Sequence, residues 1–198
     1  MTAHTPARTP VRERLLDAAD ELFFQVGAVA TPVDRILAQA GASPASLYAH
    51  FGNKDGLLEA ALERRLAEWT EVWDAAIEEA SDDTGRLLAV FTALRSYQTD
   101  RMTERWCAFS GTAATLPHPT EGISRVLQQE TQLLRERLVR LATPVGGERS
   151  PELAEALMVT YCGTLAMMLR QPWELAIDQG EATARLLVAW VATRERTH

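Results

Sequence analysis

The sequence predicts an all-α protein, and three observations carry that reading. Apolar residues recur at spacings of three and four along most of the 198-residue chain. Pairs of a capping residue and proline, or single glycines, stand where those stripes begin and end. No stretch shows strand-like alternation longer than chance.

Residues 1–9 contain Thr-Pro pairs and basic side chains and are expected to form a mobile arm. A first helix is expected from Pro10 to Val26, with Val11, Leu15, Ala18, Leu22 and Val26 on one stripe and Gly27 as its stop. Its task is to brace the pair of short helices after it. Thr31 and Pro32 have the chemistry of an N-cap and a first helical residue, because proline's missing N–H costs nothing there. Asp34 then falls at the third helical position, Val33, Ile36, Leu37 and Ala40 form one apolar face, and Gly41 suits the left-handed residue that ends a helix at a sharp corner. Ser43 and Pro44 repeat the device, so a second short helix is expected from Pro44 to Phe51. Two short helices around a glycine corner make a helix-turn-helix.

The second of these helices turns Leu47 and Phe51 inward and leaves Ala45, Ser46, Tyr48, Ala49 and His50 for other faces. A helix that enters a major groove must be slim at its N-terminal end, and this one is. Ala45 is suited to a thymine methyl, Ser46 to either type of base, and Tyr48 and His50 to phosphate oxygens. Asn53 is a good cap for a third helix, which places Lys54, the chain's only lysine, in its first turn, where an anion nearby would offset the helix dipole.

These residues carry a specific resemblance. LLDAADELF, Gly27, TPVDRI, AGAS, SLYAHF and NKDGLL, in register over residues 12–58, resemble the DNA-binding domain of the tetracycline-repressor (TetR) family of transcriptional regulators. The resemblance implies a DNA interface at Thr31, Arg35, Ser43, Pro44, Ala45, Ser46, Tyr48, His50 and Lys54. Two positions depart from the family pattern. Ala28 stands where an aromatic is usual, so Phe23 or Phe24 is expected to fill the space, and Pro32 replaces a Thr or Ser, which leaves the phosphate contact at that helix start to Thr31. The expected organisation is a three-helix helix-turn-helix domain over 1–53 and a C-terminal helical ligand-binding and dimerisation domain over 54–198.

From Lys54 a helical pattern runs to about Ala80, with Leu58, Ala61, Leu62, Leu66, Trp69, Trp73 and Ile77 at spacings of three and four and no Pro or Gly after Gly56. It must join the two parts rigidly. After a break at 81–85, with Asp83 or Thr84 as cap, Leu87, Leu88, Phe91, Leu94 and Tyr97 mark the next helix, and Met102, Trp106 and Phe109 a further one. Residues 116–122 read as a loop, 123–142 as a helix and 143–150, TPVGGERS, as the longest flexible connection. Ser150 and Pro151 start a helix to about Arg170, and a last helix is expected over about 181–196. Its segment LLVAWVA, 186–192, is apolar nearly all round and must be covered on both sides. One cover is the core. The other is a second copy of the chain, with Gly163, Thr164, Leu186 and Trp190 at the interface of a homodimer.

Large apolar side chains at Trp69, Trp73, Phe91, Tyr97, Trp106, Phe109, Tyr161 and Met168 can pack a core or line a pocket between helices for a small apolar or aromatic effector. Few charged residues fall on these stripes, so a multiply charged ligand is not expected.

The net charge of −7 and the pI of about 5.2 exclude a non-specific electrostatic binder of nucleic acid. Even residues 1–60 carry five basic against seven acidic side chains. The bases nonetheless cluster where DNA would lie, with Arg8, Arg12 and Arg14 in and beside the arm, Arg35 on the first motif helix and Lys54 beyond the second. Arg8 or Arg12 could reach an adjacent minor groove. Tight binding to double-stranded DNA would then require a dimer on a near-palindromic operator. No apolar run has membrane-spanning length and the start lacks a signal-peptide core, so a cytoplasmic protein is expected. Cys107 and Cys162 lack ligand spacing and are expected to be free thiols, while Cys107 and His118 lack a third partner for catalysis or metal binding. No cofactor is implied. Two other readings stay open: a regulator that answers to a protein partner, and a helical small-molecule-binding protein that no longer engages DNA.

Overall fold

The computed structural model describes residues 9–100 and 107–195. Among these residues every regular element is a helix. Arg8, Met102 and Trp106 lie outside the described residues.

Helix α1 (Val11–Leu22) runs directly into a π-helical turn at Phe23–Gly27. The wider i→i+5 winding changes the predicted stripe, because Phe23 is turned into the core and Val26 is left 43% exposed. Of the two phenylalanines expected to fill the space at Ala28, Phe23 is buried in the same cluster as Ala28, and Phe24 packs at its edge. Helix α2 (Val33–Ala40) starts one residue later than expected, with Pro32 as its N-cap and Thr31 outside it. Gly41, at φ 56° and ψ 45°, takes the left-handed corner conformation that a side chain would strain. Helix α3 spans Pro44–Phe51 and α4 spans Lys54–Glu79, both as the caps predict. Asn53 Oδ1 accepts the Gly56 N–H at 2.8 Å.

Helix α5 (Asp83–Asp100) is capped by Asp82, whose carboxylate accepts the Gly85 N–H, in place of Asp83 or Thr84. Helix α6 (Ala108–Thr115) is short, and Thr120 caps α7 (Glu121–Gly146), so the loop there ends two residues sooner than expected. The flexible connection expected at 143–150 does not form. Helix α7 continues through Pro144, a single 3₁₀ turn follows at Gly147–Arg149, and α8 (Ser150–Met167) begins at once. Packing overrides the breakers: Ala142 and Gly146 are buried, and Leu153 of α8 and the Val191 side chain lie against Gly146. The last helix, α9 (Trp173–Glu195), starts well before residue 181, with Ala176 and Ile177 buried in its first turns.

Two apolar cores result. The front core joins α1, α2 and Leu47 of α3 to the foot of α4 (Leu57, Leu58, Ala61, Leu62) and to Phe109, Ile123 and Val126. It therefore crosses the boundary expected at residues 53 and 54. The rear core packs the upper part of α4 with α5, α7, α8 and α9 around Trp73, Phe91 and Leu138.

Candidate nucleic-acid interface and internal cavity

Helix α3 is held from one side. Leu47 is fully buried and Phe51 half-buried, while Pro44, Ala45, Tyr48, Ala49 and His50 are exposed and Ser46 is partly covered. Tyr48 has 63% of its surface in solvent, a large fraction for an aromatic ring that nothing else requires to be outside. Ser43 Oγ accepts the Ser46 N–H at 3.2 Å and lies 3.0 Å from Ser46 Oγ, so the two hydroxyls form one small polar cluster at the start of the helix. His50 meets Phe51 edge-on at 6.2 Å. Arg35 is exposed on α2.

Three predicted contacts are changed by the structure. Thr31 is 1% exposed, and its hydroxyl donates to the Gly27 carbonyl at 2.8 Å and lies 3.2 Å from that of Leu22. It locks the end of the π turn and has no route to a phosphate. Arg14 is not a free arm residue either. Its guanidinium donates to the carbonyls of Ala40 at 2.8 Å, Gly41 at 3.1 Å and Thr9 at 2.8 Å, which satisfies the end of α2 and fixes the turn. Lys54 is partly buried, with Nζ 5.9 Å from the centre of the Phe23 ring, so its stem lies along the π turn. Arg12 sits over the Phe51 ring at 5.5 Å and pairs with Glu13.

Behind the front core lies a small cavity of about 30 Å³. Trp69, Phe109 and Tyr161 line it as predicted, but Trp73 and Phe91 do not; both are sealed in the rear core, with Arg137 over the Trp73 ring at 4.8 Å. Tyr97 lines the cavity as well, and the polar lining residues that sequence reasoning missed are Arg65, Cys107 and Glu130. Arg65 falls on the inward stripe of α4, four residues before Trp69, which was the available signal. It is 5% exposed and donates two hydrogen bonds to Asp20 of α1, at 2.7 and 2.5 Å, and one to Tyr97 Oη at 3.0 Å. Its plane also lies over Phe24 at 5.0 Å. Burial pushes the Tyr161 hydroxyl well above its ordinary range, raises Glu130, and pushes the Cys107 thiol up to about 11. Cys107 is thus a neutral thiol on the cavity wall, and His118 is exposed in the loop after α6, so the pair is not assembled as a nucleophile and base. Among the described residues no group of three His, Cys, Asp or Glu could hold a metal ion, and no helix is long and apolar enough to cross a membrane.

The rear surface differs from expectation at one position. Gly163, Leu186 and Trp190 are exposed, with Val159 and Met167 beside them, but Thr164 is 3% exposed and points to the inside. Its hydroxyl donates to the Thr160 carbonyl, and it fills the space left by the absent side chain of Gly180, so it joins α8 to α9 within one chain.

Two short helices around the Gly41 corner, the second of them exposed, have the geometry of a helix-turn-helix, the arrangement in which a recognition helix can enter a major groove. Residues 15–61 match the family model described as bacterial regulatory proteins, tetR family. The chain is 30% identical over 131 residues to the HTH-type transcriptional repressor ComR of Escherichia coli, covering 65% of this chain and 61% of ComR. It is 29% identical over 131 residues to the HTH-type transcriptional regulator BetI of Brucella melitensis, covering 66% and 65% of the two chains. The matched part therefore spans somewhat under two thirds of these relatives. A TetR-family transcriptional regulator from Streptomyces coelicolor superposes with a TM-score of 0.84 at 25% identity, covering 91% of this chain and 95% of that one. Reduced NemR of Escherichia coli, 16% identical with a TM-score of 0.74, shares the fold. Residues 15–61 thus match the DNA-binding module of the TetR family, and the chain as a whole is similar to TetR-family transcriptional regulators.

Proposed function

We propose that this chain is a TetR-type repressor that binds a near-palindromic operator as a homodimer and releases it when a small effector enters the cavity. The observation that carries the reading is the exposure of α3: Leu47 alone anchors it fully, and Ala45, Tyr48, Ala49 and His50 stand in solvent on a helix slim enough for a major groove. Pro44, Ser43 and Ser46 shape its N-terminal end, and Arg35 faces outward from α2. Lys54 contributes only if its amine leaves the Phe23 ring, and Thr31 acts solely by holding the turn.

The helix offers no Arg, Asn or Gln for a bidentate base contact, worth about 1–3 kcal/mol each. Discrimination must therefore come from close fit at Ala45 and Ser46 and from Arg8 or Arg12 in the adjacent minor groove. A dimer supplies the affinity that one acidic subunit lacks. The exposed apolar side chains Val159, Leu186 and Trp190, with Gly163 between, support pairing of α8 and α9 with a second copy.

The route from cavity to DNA is short. Arg65 touches the cavity on one side and Asp20 of α1 on the other, and Trp69 follows one turn along the same helix. An effector that displaces either side chain shifts α4 against α1, and only a ligand that binds the shifted state more tightly can release DNA.

Selection of bound fragments from random duplex DNA, followed by gel shift, tests the reading. Tyr48→Phe is expected to weaken binding to all sequences alike, whereas changes at Ala45 or Ser46 alter which sequence is preferred. Failure to select any duplex at low salt would leave a helical binding protein in place of a regulator of this kind.

A further inference from the structure

Helix α3 turns its smallest side chains outermost. At about 100° per residue, Ala45 and Ala49 fall on the side of the helix opposite Leu47 and Phe51, and both are exposed. Tyr48 and His50, the neighbours of Ala49 in sequence, splay to either side of that ridge and are exposed as well. Laid in a major groove with Leu47 toward the protein core, such a helix directs Tyr48 and His50 toward the two phosphate walls. It directs a pair of methyl groups toward the base edges between them.

The other side chains at the start of α3 are poor readers of a base. Pro44 carries no donor. Ser46 is partly covered, its hydroxyl lies 3.0 Å from Ser43 Oγ, and its N–H is held by the same oxygen, so it serves the start of the helix. A methyl group cannot hydrogen-bond, and the apolar feature that a base pair offers in the major groove is the methyl group of thymine. A guanine or cytosine edge against Ala45 or Ala49 would lose water from its polar atoms and receive no bond in return. A thymine methyl meets an alanine methyl at no such cost.

Resting on the reading of α3 as the helix that enters the groove, we propose that Ala45 and Ala49 together are specificity-determining residues that read thymine methyl groups. Each half-site then carries a pair of T·A base pairs. Residues four apart on a helix have Cβ atoms about 5–6 Å apart and base steps are about 3.4 Å apart, so the two thymines stand about one or two steps from each other.

The test uses the duplex selected by the full chain and replaces thymidine by deoxyuridine, one symmetry-related pair of positions at a time. This removes the methyl and leaves base pairing unchanged. One buried methyl corresponds to about fourfold in affinity, so paired replacement at each contacted position is expected to weaken binding about fifteenfold in gel shift, and elsewhere less than about twofold. Ala45→Gly and Ala49→Gly, each checked for folding by its melting curve, are each expected to bring the ratio of thymidine to deoxyuridine affinity down to about one at one position. An unchanged ratio in the folded variants would overturn the assignment, because the loss would then lie in the duplex and not in the contact. Equal affinity of the unaltered chain for the selected duplex and for its fully uracil-substituted form would overturn it too, while leaving a DNA-binding regulator standing. Selected half-sites without two thymines within two steps would do the same. Selection of no duplex at low salt would overturn both the assignment and the reading on which it rests.

Discussion

In the front of the molecule α2 and α3 are eight residues each, and α3 sends Leu47 alone into full burial. In the rear α4 and α7 run for 26 residues each, and α4 buries eight side chains along its length. Two turns of helix are too short to persist on propensity, and neither motif helix is covered by apolar packing on more than one side. Their ends are accordingly tied down by polar side chains that each satisfy helix-end or turn groups: Thr31 at the end of the π turn, Arg14 on the end of α2, Ser43 and Asn53 at the starts of α3 and α4. A long helix needs little of this, because its whole stripe fixes it. Local chemistry thus governs the front, and summed burial governs the rear.

The sharpest test of that contrast is the link that spans both regions. Asp20→Ala removes the carboxylate from a guanidinium that is 5% exposed, and the loss is expected to be about 3–5 kcal/mol in urea unfolding. A loss below about 1 kcal/mol would place the Arg65–Asp20 pair among screened surface pairs and break the comparison. Next comes Leu47→Ala, which removes the one fully buried anchor of α3 and is expected to cost about 3 kcal/mol by the same measurement. Arg14→Ala leaves the carbonyls of Ala40 and Gly41 without their donor. It should cost about 1.5 kcal/mol and speed amide hydrogen exchange in α2 and the turn, with α8 and α9 unaffected.

The smallest effect is expected in the rear. Pro144→Ala restores a donor for the Arg140 carbonyl but frees the unfolded chain, and the two contributions, each about 1 kcal/mol, oppose one another. A change of more than about 2 kcal/mol in either direction would show that one residue, and not the stripe, sets the course of α7.

The sequence alone determined that the protein is helical, where α3 starts and ends, and which of its residues face solvent. Those features are local: a cap, a proline, a glycine corner and a spacing of four act within one or two turns and can be read without knowing what lies opposite. Tertiary structure decided the rest. The course of the chain through Pro144, the early start of α9, the burial of Thr31 and Thr164 and the task of Arg14 all depend on residues distant in sequence. Gly146 stays helical because Leu153 and Val191 close over it, and Thr164 turns inward because α9 brings Gly180 against it. The cavity is the extreme case, since its aromatic rings and its carboxylate come from five helices. No spacing within a single helix records that Glu130 stands beside Trp69 and Tyr161. Breaker residues and stripes state what each segment prefers; only the sum of apolar burial, which is larger than any one of those preferences, states which preferences are overruled.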